Sequence, residues 1–75
     1  MPQELIDILL RTAPDTDISN LTAESRLKED LGLTSLDFIM IMFELQDKYS
    51  LTFTGEESFD TVGDVIRFLH EKTGN

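Results

Sequence analysis

The 75-residue chain has no cysteine and no tryptophan, a single histidine, and only six lysines and arginines against fifteen aspartates and glutamates. Without cysteine there is no disulfide framework, no thiolate metal site and no thiol nucleophile. The single histidine, His70, is expected to face solvent on the last helix and has no evident nucleophile to activate. Metal-ligand clusters and glycine-rich phosphate loops are missing too, so the sequence points away from an enzyme. The shortage of basic residues leaves a formal net charge of −9. A field of that sign repels phosphate backbones and anionic lipid, which argues against nucleic-acid binding, and it speeds encounter with basic protein surfaces. Long apolar runs are absent as well. Residues 5–10 are interrupted by Asp7 and follow no basic residue, unlike a secretory leader, and nothing approaches the ~18 apolar residues of a membrane span. The expectation is a soluble, cytoplasmic, monomeric protein without membrane insertion.

The residues present suit a small folded domain. Forty per cent are hydrophobic, five are phenylalanine, and only two prolines and four glycines interrupt the chain. One domain spanning residues 1–75 is expected, with a modest core, because a chain this short buries only ~60% of its unfolded surface.

Pro2 suits the first position of a first helix, where its missing N–H costs nothing. Leu5, Ile8 and Leu9 then recur at helical spacing up to Pro14. From residue 14 to residue 34 that periodicity lapses into a long loop anchored by Leu21, Leu27, Leu31 and Leu33, with a short helical turn admitted around residues 23–29. Gly32 allows a tight turn before the second helix. Thr34 caps that helix, with Asp37 three residues on as a capping-box variant, and residues 36–49 contain neither proline nor glycine. Residues 50–53 read as extended loop. Thr54 and Glu57 make another capping pair, predicting a short helix that ends near Phe59. Thr61 and Asp64 open a last helix with Val62, Val65, Ile66 and Leu69 on one face. The fold class is therefore all-α: a small four-helix bundle, three main helices plus one short one, with a long loop between the first and second helices.

The second helix carries two apolar stripes. At 100° per residue, Phe38, Ile41, Met42, Leu45 and Tyr49 share one face, while Leu36, Ile39, Met40 and Phe43 lie nearly opposite. Two readings stand side by side. Either the helix is central and buried on both faces, or the second stripe is a docking surface that Asp37, Glu44 and Asp47 complement with charge for basic partners. A calcium-loop reading of Asp15, Asp17 and Ser19 fails, because Asn20 stands where the turn glycine belongs and Arg26 where a bidentate glutamate is required.

The stretch Asp30-Leu31-Gly32-Leu33-Thr34-Ser35-Leu36-Asp37 resembles the modification motif of acyl and peptidyl carrier proteins, in which a D-L-G turn leads into D-S-L at the start of the second helix. Ser25-Arg26-Leu27 before it and Thr61-Val62-Gly63-Asp64 after it also resemble the family, so the likeness covers essentially the whole chain. It implies 4′-phosphopantetheine attached covalently to Ser35, where backbone N–H groups and the helix dipole favour a phosphate. It also implies acyl groups carried as thioesters, and partners that include a phosphopantetheinyl transferase and acyltransferases, ketosynthases or ligases with basic docking surfaces. Thr34, Leu36, Asp37, Ile39, Met40, Phe43, Glu44 and Asp47 are the expected partner-binding residues. Two positions depart from the pattern: Thr34 replaces the usual Asp before the serine, and Met40 replaces a frequent acidic residue. The alternatives kept are an unmodified carrier-like interaction module and a specialised aminoacyl or peptidyl carrier.

Overall fold

Among the described residues, three helices pack around a core of leucine, isoleucine, valine and one methionine, Met42. The computed structural model describes residues 3–16, 18–54 and 57–74. Within them the helices are α1 (Gln3–Thr12), α2 (Ser35–Tyr49) and α3 (Val62–Thr73). Strands do not form among the described residues. One isolated antiparallel bridge joins Arg26 to Thr61. The all-α class therefore holds, and Pro2, expected to open α1, lies outside the described residues.

Each helix contributes the face its spacing predicts. Leu5, Ile8 and Leu9 of α1 are buried against Ile41, Met42 and Leu45 of α2 and Val62, Val65 and Leu69 of α3. Leu27 and Leu33 from the connection between α1 and α2 complete the buried set, and no polar side chain is buried among the described residues. Burial of each such side chain stabilises by about 1.5–3 kcal/mol. The whole domain holds a net of only about 4–11 kcal/mol, so each of these side chains matters.

Among the described residues no short fourth helix forms; Gly55 and Glu56, within its expected span, lie outside them. Residues 51–54 and 57–60 are non-helical, which corrects the expectation of a helix from Thr54 to Phe59. The predicted local contact does form, since the Glu57 carboxylate accepts the Thr54 N–H at 2.9 Å. What prevails is the pull on the two flanking rings. Phe53 stacks on Phe68 at 4.8 Å between centroids, and Phe59 sits edge-on to Phe68 at 5.3 Å and tilted against Phe38 at 5.6 Å. Aromatic pairs of this kind contribute about 0.5–1.5 kcal/mol each beyond burial. A segment this short offers too few helical bonds to offset the cost of nucleating a helix.

Tertiary pairing likewise takes over residues 23–29. Val62 N–H donates to the Ser25 carbonyl at 3.0 Å, Gly63 N–H to Ala23 at 2.7 Å, and Leu27 N–H to Asp60 at 2.8 Å. These groups serve α3 instead of a helix of their own. They fasten the connection across the start of α3 and so set the course of the chain into α2.

Candidate functional site

The site is built around the start of α2. Gly32, at φ +70°, turns the chain in a conformation open to glycine at little cost. Leu33 then anchors it in the core, and its N–H donates to the Leu27 carbonyl at 3.0 Å. Thr34 is the N-cap: its hydroxyl accepts the Asp37 N–H at 3.1 Å, and the Asp37 carboxylate accepts the Thr34 N–H at 3.0 Å. Both halves of the predicted capping box are present.

A helix start leaves four N–H groups without an intrahelical acceptor. At α3 the box between Thr61 and Asp64 satisfies two, and the Ser25 and Ala23 carbonyls take those of Val62 and Gly63. At α2 the box satisfies the same two positions. The remaining N–H groups belong to Ser35 and Leu36, both exposed and with no acceptor among the described residues. Thus α2 presents at its start an exposed hydroxyl and two backbone donors together.

A groove of about 250 Å³ opens beside Ser35. It is lined by Thr34, Ser35, Phe38 and Ile39 around the α2 start, by Glu57, Ser58 and Phe59, and by Leu27, Lys28 and Leu33. It continues along α2 into a second hollow of about 420 Å³ bordered by Met42, Phe43, Gln46, Phe53 and Thr54. Gln46 holds that far wall, since its side-chain carbonyl accepts the Phe53 N–H at 3.1 Å. The interior beneath is closed: the space between Leu5, Leu9, Phe38, Ile41 and Val65 amounts to about 10 Å³.

The second apolar stripe of α2 is exposed. Leu36 is 66%, Ile39 49%, Met40 45% and Phe43 64% accessible, while Ile41, Met42 and Leu45 face the core. Asp47 is exposed and continues the stripe one turn beyond Met40 and Phe43. Asp37 and Glu44 lie on the flank and already have partners. Asp37 is in the capping box, and Glu44 pairs with Arg11 at 2.8 Å and accepts from the Thr12 hydroxyl at 3.4 Å. The structure therefore gathers Thr34, Ser35, Leu36, Ile39, Met40, Phe43 and Asp47 on the open side of one helix and ties Glu44 to α1.

Sequence reading missed the part of the groove lining beyond α2 and its approach, namely Lys28, Glu57, Ser58 and Phe59. Its residues are 7 to 24 positions away along the chain and share no local periodicity with α2. The clustering of four phenylalanines was equally hidden, because it depends on where Phe53 and Phe59 come to lie against Phe38 of α2 and Phe68 of α3.

The structure thus joins a small helical domain with a closed core to a serine hydroxyl displayed at a helix start with an open groove beside it. Residues 3–69 match the family described as the phosphopantetheine attachment site. The chain is 40% identical over 58 residues to an acyl carrier protein of an Exiguobacterium species, covering 75% of this chain and 73% of that protein. It is 32% identical over 72 residues to an acyl carrier protein of onion yellows phytoplasma, covering 93% and 95%. A third relative, the acyl carrier protein MbtL of a Mycobacterium species, is 41% identical over 66 residues, covering 85% and 74%. The chain belongs to the acyl carrier protein family, and its cofactor is 4′-phosphopantetheine. The residues present fit that group: the exposed Ser35 hydroxyl could bear it, two unpaired backbone donors adjoin that hydroxyl, and a groove of mixed polarity opens beside it.

Proposed function

We propose that this chain is an acyl carrier that bears its 4′-phosphopantetheine on Ser35 and presents acyl groups to biosynthetic enzymes. The observation that carries this reading is the exposed Ser35 hydroxyl at the first turn of α2, at the head of the groove and within the matched span. When bound, the group supplies the thiol on which acyl cargo is held as a thioester, chemistry that a cysteine-free chain lacks. The chain's own residues display, orient and are recognised; they catalyse nothing. Thr34 and Asp37 hold the helix start that offers the hydroxyl, and Gly32 and Leu33 fix where that start lies.

The exposed stripe of Leu36, Ile39, Met40 and Phe43 serves as the docking face, with Asp47 in line and Asp37 on its flank. Apolar contact supplies affinity, and the charge of −9 attracts basic surfaces on a phosphopantetheinyl transferase and on acyltransferases, ketosynthases or ligases. Methionine in the middle of this face favours partners with an apolar contact at that point, as its flexible thioether adapts to differing shapes. The carrier acts as a cytoplasmic monomer.

Intact mass tests the assignment. The wild type and Ser35→Ala are incubated with coenzyme A, Mg²⁺ and a broad-specificity phosphopantetheinyl transferase. Addition of one phosphopantetheine to the wild type alone is the expected result. A folded wild type that gains no mass with several transferases would overturn it and leave an unmodified interaction module as the reading.

A further inference from the structure

Six basic residues serve this acidic chain, and most are already engaged. Arg11 pairs with Glu44, Arg26 with Glu29 and Asp30, and Arg67 with Asp64. Lys72 lies 5.5 Å from the centre of the Phe68 ring. Lys28 and Lys48 have no ion pair or hydrogen bond from their ammonium groups among the described residues, and of these two only Lys28 lines the groove with Ser35. Its placement is not left to a floppy loop. The Leu27 N–H is held by Asp60 at 2.8 Å, the Lys28 carbonyl accepts the Gly32 N–H at 3.1 Å, and Leu27 and Leu33 on either side of that turn are buried. The backbone at Lys28 is thus anchored, while the exposed, flexible lysine lines the same groove as Thr34 and Ser35.

We propose that Lys28 is a positioning residue for the prosthetic group: its ammonium pairs with the phosphodiester on Ser35 and holds the first part of the arm at the groove mouth. The proposal rests on the Ser35 reading. Charge argues for it, because adding a phosphodiester to a molecule already at −9 raises self-repulsion, and a nearby unpaired cation offsets that locally. Lysine suits this task as a compact charge on a flexible stem, which needs no fixed approach to one phosphate oxygen. In the apo chain the same ammonium is solvated and available, so no existing pair has to break when the arm arrives.

The test compares wild type, Lys28→Gln and Lys28→Arg, each prepared as apo and holo protein, with intact mass confirming one arm per chain. The first reading is the holo-minus-apo difference in Tm. Exposed pairs of this kind shift Tm by about 1–5 °C in a domain of this size. Lys28→Gln is expected to lose a shift of that order, Lys28→Arg to restore it, and 1 M salt to reduce it in the wild type by screening. The second reading is the ³¹P chemical shift of the holo protein, which is expected to differ between wild type and Lys28→Gln. An unchanged Tm difference together with an unchanged ³¹P shift overturns the proposal. So does a Lys28→Gln chain that takes no arm while the wild type is loaded, since that would place the lysine in transferase recognition. A wild type that takes no arm fails the Ser35 reading instead, and mass shows this before any melting is done.

Discussion

The Gly63 N–H donates to the Ala23 carbonyl at 2.7 Å, and a Cβ placed on Gly63 would lie 2.9 Å from that same oxygen. This close approach fastens the connection between α1 and α2 onto the start of α3. The atom met is backbone, so it cannot swing aside. Gly63→Ala is expected to cost about 1–3 kcal/mol, measured as a lower urea midpoint at unchanged m-value. Loss of amide protection at Leu27 and Val62 by hydrogen exchange would identify the unfastened connection as the cause. Stability equal to wild type would mean the contact is slack.

Thr34 supplies the side-chain acceptor that satisfies the Asp37 N–H. Thr34→Ala should destabilise by about 1 kcal/mol and fray the turn carrying Ser35. Thr34→Asp keeps an acceptor at the same place and should preserve stability. It also restores the residue usual at this position in the resembled motif, so faster loading by a transferase is expected. The measurement is the initial rate of arm transfer set beside the urea midpoint. A rate that follows stability alone would remove Thr34 from recognition.

Leu36 and Phe43 are the most exposed large apolar side chains among the described residues, at 66% and 64%. Leu36→Ala and Phe43→Ala should each change stability by no more than about 0.5 kcal/mol. In contrast, Leu45→Ala, at a fully buried position, should cost about 2–5 kcal/mol. If the stripe docks partners, the two surface substitutions raise the KM of the transferase for the carrier several-fold while the melting curve barely moves. Unaltered KM in both would remove the stripe from docking with that enzyme.

Acid stability follows from Asp64 and Asp30. The Asp64 carboxylate accepts the N–H groups of Asp60 and Thr61 and pairs with Arg67, which holds it below its ordinary value of 3.8. The Arg26 N–H, with that residue's charge, does the same for Asp30. A carboxyl depressed in the folded state stabilises fully above its unfolded pKa, and that contribution is lost as pH falls through the folded pKa. Relief of the net negative charge works the other way as pH approaches 4.2, the isoelectric value of the sequence. Stability should therefore hold or rise slightly from pH 7 to about pH 5 and fall below about pH 4. Asp64→Asn should flatten the acid limb, as read from urea midpoints across that range. An unchanged slope would show that the two N–H contacts are not kept in solution.

Arg11 and Glu44 join α1 to α2 across an exposed pair. A double-mutant cycle with Arg11→Ala and Glu44→Ala should give a coupling of about 0.2–1 kcal/mol that fades in 1 M salt. No coupling at low salt would free Glu44 for partners.

Much of this protein was legible in residue order alone. The faces of α1 and α3, both capping boxes, the glycine turn before α2 and the position of Ser35 at the helix start depend on neighbours within about four residues. Periodicity and capping report such relationships directly. Whether the second stripe of α2 meets water or is buried as well was not legible, since Leu36, Ile39, Met40 and Phe43 are as apolar as the core face. Only the number and placement of the other elements leave them uncovered. The same holds at Thr54 and Glu57, where the local pair forms as its spacing predicts but the Phe53 and Phe59 rings are drawn to Phe38 and Phe68 and no helix appears among the described residues. The groove wall of Lys28, Ser58 and Phe59 was likewise a tertiary matter. Sequence determined what each segment could become within a turn or two; packing between distant segments decided which apolar face met water and which cation came to line the groove with Ser35.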